Sequence, residues 1–144
     1  MLYLRARHRH GFTLVELMVV VIILGILAST ALVASTGKVR RARASEAASN
    51  LSKVFQGQLA YLPTAQERGY AAFVDAPPTP RTPPSAARYA ANVNVWSSDP
   101  AWTAIGFAID SPHFYQYACP ASDTSFTARA VGDLDGDRVQ STFE

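Results

Sequence analysis

The sequence predicts an α+β fold, with a long N-terminal helix packed on a small antiparallel β-sheet head. Three observations carry this. A charge-free apolar run covers residues 17–34. A stripe with helical period continues from it to about residue 62. Beyond that, short alternating runs are broken up by Pro, Gly, Asp and Ser. The chain has 144 residues, 49% of them hydrophobic, and a formal net charge of +2. That length suits one small domain plus an appendage. The charge is too small to argue for nucleic acid, and no nucleic-acid site is evident.

The apolar run meets the length of roughly 18 residues for a membrane-spanning candidate, and residues 12–15 extend it backwards. Basic residues flank it, with Arg5, Arg7 and Arg9 before and Lys38, Arg40, Arg41 and Arg43 after. Such flanks mark headgroup regions of a bilayer. A buried core helix rarely runs so far without a polar face. A cleavable secretory signal has a shorter apolar core. A plain anchor fits the length but leaves Glu16 unexplained, because a carboxylate in such a run costs about 2.5–3.5 kcal/mol. Something should compensate for it or use it.

Gly11-Phe12-Thr13-Leu14-Val15-Glu16, after a basic leader and before the apolar run, resembles the cleavage and methylation motif of type IV pilins and type II secretion pseudopilins. The resemblance implies that a membrane prepilin peptidase cuts after Gly11 on the cytoplasmic side. It implies that the new amino group of Phe12 is N-methylated. It divides the chain into a cleaved leader (1–11), a helix (12–62) and a globular β head (63–144). The helix spans the membrane at about 14–34 and is amphipathic at about 38–62. It also implies a role for Glu16, which pairs with the terminal amine of a neighbouring subunit during assembly. In a low-dielectric filament core such a pair specifies register more than it adds stability. The implied partners are identical or related pilin subunits, the peptidase/methylase, inner-membrane assembly machinery and the lipid bilayer. The implied location is the inner membrane first, then an extracellular pilus or a periplasmic pseudopilus. Many pilins kink this helix with a proline, but none occurs here before Pro63.

From residue 44 the stripe comprises Ala44, Ala47, Ala48, Leu51, Val54, Phe55, Leu59 and Leu62. Its spacing of three and four places it on one helical face, with Glu46, Asn50, Lys53 and Gln56 off it. Pro63 is expected to stop the helix. A helix from 12 to 62 would be about 75 Å long at ~1.5 Å per residue. Residues 76–85 hold five prolines, at positions 77, 78, 80, 83 and 84. That density forbids a helix or a central strand, so a surface loop is expected. Strands are expected at 89–96, 102–109, 113–119 and 125–131, with a turn at Asp110-Ser111-Pro112. The lone Cys119 cannot form an intramolecular disulfide, and its alternation with Tyr115 and Tyr117 points to burial. The aromatic residues read as core.

The tail Asp133-Leu134-Asp135-Gly136-Asp137 spaces carboxylates as a calcium loop does, with Glu144 at its twelfth place. Arg138 stands where such a loop has glycine. A weak Ca²⁺ site on Asp133, Asp135, Asp137 and Glu144 and a solvated Asp/Gly turn are equally compatible with this segment. No other cofactor and no catalytic residues are expected. The functional expectation is therefore a structural subunit of a type IV pilus-like filament serving adhesion, motility or DNA uptake. The alternatives are a type II secretion pseudopilin and a membrane-anchored binding domain that does not polymerise.

Overall fold

The computed structural model describes residues 11–144, and among these not the side chains of 31–37 and 40. The leader arginines, Arg5, Arg7 and Arg9, and the side chains of the proline-free stretch 31–34 lie outside the described residues. The chain divides into two units, Met1–Val39 and Arg40–Glu144.

The first element, α1 (Leu14–Arg68), is a helix of 55 residues. It passes through Pro63, contrary to the stop expected there. A proline inside a helix removes one hydrogen bond and crowds the preceding turn. Here tertiary burial outweighs that cost, because Ala65 is completely buried and Tyr61 packs against the core. The helix ends instead at Gly69, whose φ of +68° is the left-handed conformation of a C-terminal cap. Tyr70 N then donates to the Ala65 carbonyl at 2.9 Å, closing a Schellman turn.

In the second unit, four short antiparallel strands form a sheet in the order β1-β2-β3-β4. They are β1 (Ala76–Thr79), β2 (Gln116–Cys119), β3 (Arg129–Gly132) and β4 (Ser141–Phe143). β1 arises within the proline-rich segment expected to be loop. It is an edge strand, the position at which missing N–H donors are tolerated. Between β1 and β2 come two short helices, α2 (Asn94–Ser97) and α3 (Pro100–Ala104), where strands were expected. The local chemistry explains α3. Asp99 is its N-cap, accepting from Ala101 N at 2.9 Å, and Pro100 fits the first turn. The alternation at Ile105, Phe107 and Ile109 does bury these residues, at 4–6% exposure. They nevertheless belong to no ladder, because burial alternates in any extended segment lying on a core.

Trp96, Trp102, Tyr115, Tyr117 and Cys119 form the centre of this core, each at most 1% exposed. Trp96 and Trp102 meet edge-to-face at 5.2 Å. The Trp102 indole donates to Thr79 Oγ1 at 2.8 Å, tying α3 to β1. Truncating either tryptophan to alanine should cost about 3–5 kcal/mol.

The face that α1 buries is rotated from the expected stripe. Ala47, Asn50, Val54, Gln58 and Ala65 are buried, whereas Phe55 and Leu59 are about half exposed. Asn50, expected to lie off the apolar face, is thus buried on it, together with a second amide, Gln58. Asn50 Nδ2 donates to Tyr117 Oη at 2.9 Å. Gln58 Nε2 donates to the Val74 carbonyl at 2.7 Å, and its Oε1 accepts from Val74 N at 2.9 Å. The same Nε2 lies 3.1 Å from Cys119 Sγ. Each buried polar group that gains a partner avoids a desolvation cost of about 1–3 kcal/mol.

Between those amides Gly57 lets the loop after α3 touch the helix. A Cβ there would collide with the Ile105 carbonyl oxygen. In a free helix Gly→Ala is favourable by about 0.5–1 kcal/mol. Here Gly57→Ala should instead destabilise by about 1–3 kcal/mol, measured as a lower urea midpoint of the full-length protein in detergent.

Burial holds the Tyr117 hydroxyl neutral far above its ordinary range, although the Asn50 hydrogen bond opposes the shift. Burial pushes Tyr89 up to about 12. In the unfolded chain both phenols ionise near pH 10. Their contribution is therefore fully present below about pH 10 and is lost as pH rises from there through the raised values. The urea midpoint at pH 11 should fall below that at pH 8, and Tyr117→Phe should shrink the difference.

Candidate functional site

Two regions hold the residues singled out by sequence. The first is the start of α1, in the unit Met1–Val39. Gly11 is exposed, with no atom within 4 Å of a Cβ built on it. Phe12 is 75% exposed. Residues 11–13 are thus exposed and outside the helix, accessible as a protease site must be, and helix begins only at Leu14.

Thr13 caps that helix. Its Oγ1 accepts from Glu16 N at 3.2 Å, and its carbonyl accepts from Leu17 N at 3.2 Å. The same hydroxyl faces Glu16 Oε2 at 3.5 Å. Thr-x-x-Glu is the sequence signature of a capping box, in which both side chains close the first turn. Here the carboxylate meets the cap's hydroxyl rather than its backbone N–H. A carboxylate in the first turn is also favoured by the positive end of the helix dipole. Sequence reasoning assigned Glu16 to a neighbour's amine and overlooked Thr13. The signal was present as T-L-V-E before an apolar run.

Leu14, Val15, Leu17, Met18, Ile22, Ile23, Leu24, Ile26 and Leu27 are all more than half exposed. Ser29 Oγ donates to the Ile26 carbonyl at 2.8 Å and Thr30 Oγ1 to that of Leu27 at 3.0 Å. Hydroxyls turned back onto their own helix lose much of their demand for water. Among the described residues no helix is long and apolar enough to cross a membrane.

The second region is the acidic loop, in the unit Arg40–Glu144. Carboxylate oxygens of Asp133, Asp135 and Asp137 all lie within 4.8 Å of one another. Asp133 is 5% exposed and accepts from Gly136 N at 2.8 Å. Asp137 Oδ1 accepts from Val139 N at 2.7 Å. Arg43 of α1 donates to the Leu134 carbonyl at 2.9 Å and stacks on Phe114, which Arg88 also covers. Arg138 adopts φ +68°, the conformation that glycine serves in a calcium loop. The fourth expected ligand does not join the other three. Glu144 forms an ion pair with Arg129 on β3 at 2.7 Å, because β4 pairs directly with that strand. The three aspartates alone could supply oxygen ligands to a hard cation.

A further concavity of about 790 Å³ lies beside α1, lined by Leu51, Phe55, Phe73, Phe126 and Phe143 among others. Its lining is mainly apolar but also includes Ser52, Thr124, Ser125, Thr127 and Glu144.

A family model for the prokaryotic N-terminal methylation motif matches residues 6–32. No curated protein and no solved structure shows a significant match to the chain. The matched segment contains Gly11, Phe12, Thr13 and Glu16 and the start of the exposed apolar helix. It implies a membrane-anchored precursor, processing by a prepilin peptidase and assembly with other pilin subunits. It indicates a structural subunit, and so the chain carries, at the start of α1, the signature of type IV pilins and pseudopilins.

Proposed function

We propose that the protein is a subunit of a type IV pilus-like filament. It is cleaved after Gly11, methylated on the Phe12 amine, held in the inner membrane by residues 14–34, and polymerised through that helix. The observation that carries this role is the methylation motif placed on an exposed apolar helix with a single carboxylate in its first turn. An exposed apolar surface of this length needs either lipid or other helices to cover it. Glu16 needs a cationic partner once water is excluded, and the amine of a neighbouring Phe12 is of the right charge.

Mass spectrometry of the mature chain tests the processing step. It should begin at N-methylated Phe12, whereas a start near residues 29–35 would make the apolar run an ordinary signal peptide. Glu16→Ala should leave membrane insertion intact and lower filament yield about tenfold or more, since an unpaired amine in the core costs several kcal/mol.

The alternative role is that of a type II secretion pseudopilin. It draws slight support from the three converging aspartates, because some pseudopilins, like some pilins, bind calcium in C-terminal loops. On this proposal Asp133, Asp135 and Asp137 hold one Ca²⁺ weakly. Arg138 weakens the site through its positive charge, and it reaches the left-handed backbone that the loop requires only at a cost in strain. Calorimetric titration with Ca²⁺ should show millimolar binding, and Arg138→Gly should tighten it. The same substitution should also stabilise the protein by about 0.5–1 kcal/mol, the relief of strain less the added chain entropy. Absence of heat from both proteins at millimolar Ca²⁺ would end the calcium proposal.

A further inference from the structure

Glu16 has two carboxylate oxygens, and its own chain engages one of them. Oε2 faces Thr13 Oγ1 at 3.5 Å. Among the described residues Oε1 has no hydrogen-bond partner. The Thr13 hydroxyl can serve both contacts at once. It accepts from Glu16 N through a lone pair and offers its single hydrogen to Oε2. A free glutamate side chain samples many rotamers, and fixing it at the moment of binding costs conformational entropy. A side chain already tethered over the first turn has lost that freedom beforehand, which favours its later capture by a cation.

We propose that Thr13 is the positioning residue for Glu16. Its hydroxyl holds Oε2 over the helix start and leaves Oε1 for the amino group of a second copy of the chain. The proposal rests on the filament role of Glu16 given above. It differs from simple helix capping in one chemical respect, because a cap need only accept a hydrogen bond, whereas the tether must also donate one.

Three substitutions separate those demands. Thr13→Ser keeps acceptor and donor. Thr13→Asp keeps a strong N-cap acceptor but has no hydrogen to give, and it repels Glu16. Thr13→Val keeps the shape and removes both functions. The full-length protein is expressed in cells with its own processing and assembly machinery. Mature, methylated subunit in the membrane is quantified by mass spectrometry, and sheared filament is expressed per mature subunit. Thr13 is on an exposed first turn, so the second unit should fold in every variant.

Thr13→Ser should assemble within about twofold of the native chain. Thr13→Val and Thr13→Asp should each lose about fivefold to tenfold, the size expected for an ordinary hydrogen bond. Native yield from Thr13→Asp would reduce Thr13 to a helix cap and overturn the proposal, as would native yield from Thr13→Val. Glu16→Ala, run in parallel, distinguishes the levels. If it too assembles normally, the filament role of Glu16 fails. If it is defective while Thr13→Val is normal, only the positioning role fails.

Discussion

The head depends on one amide. Gln58 is fully buried on α1, and it grips both backbone groups of Val74 while touching Cys119. Val74 precedes β1, and Cys119 ends β2. One side chain therefore fixes the helix, the entry to the first strand and the centre of the sheet against one another. Buried polar groups are costly unless fully paired, and this gives them directional force that apolar contacts lack. Eight residues earlier Asn50 does the same to Tyr117. A purely apolar helix face could slide or rotate on the sheet at little cost. A face carrying these two amides has one low-energy setting.

That constraint also explains what the sequence did and did not reveal. The α+β class, the helical period and the burial of Cys119 were legible, because apolar spacing reports them directly. The buried face differs from the expected stripe at Asn50, because polarity places it outside and its partner lies 67 residues away in the chain. The strands expected at 89–96 and 102–109 are largely replaced by short helices and an extended core segment. Alternation measures burial, whereas a strand also needs a neighbour. The Asp99-Pro100 helix start was a local signal that aromatic alternation obscured. At the first site the methylation motif that contains Gly11, Phe12 and Glu16 was legible as a short fixed pattern, and the family match over residues 6–32 covers it. Thr13 was equally legible, as the first residue of a T-x-x-E capping box, but the same four residues also belong to the longer motif that points to Glu16. In the acidic loop three aspartates meet as spacing suggested. Strand pairing, which spacing cannot express, directs Glu144 to Arg129.

The two regions handle charge in opposite ways. At the start of α1 an exposed carboxylate is managed by its own helix, through the dipole and a hydroxyl. In the second unit charge is managed by packing. Arg43 spreads its guanidinium over Phe114 and still reaches the Leu134 carbonyl, combining ring contact and hydrogen bond in one planar group. Arg88 covers the same ring. The acidic loop is thus anchored to α1 by a cation that bonds its backbone.

The sheet's two margins have a consequence for self-association. Sheets grow when the outermost strand offers a regular row of donors and acceptors to another chain. β1 carries Pro77 and Pro78 within four residues, so half its N–H groups are missing. β4, at the other margin, is three residues long. Neither can template a long ribbon. Uncontrolled edge-to-edge stacking, the common hazard of small β domains held at high local density, is closed off by composition at one margin and by brevity at the other. Many copies can be crowded side by side, and their order is then left to surfaces other than the sheet.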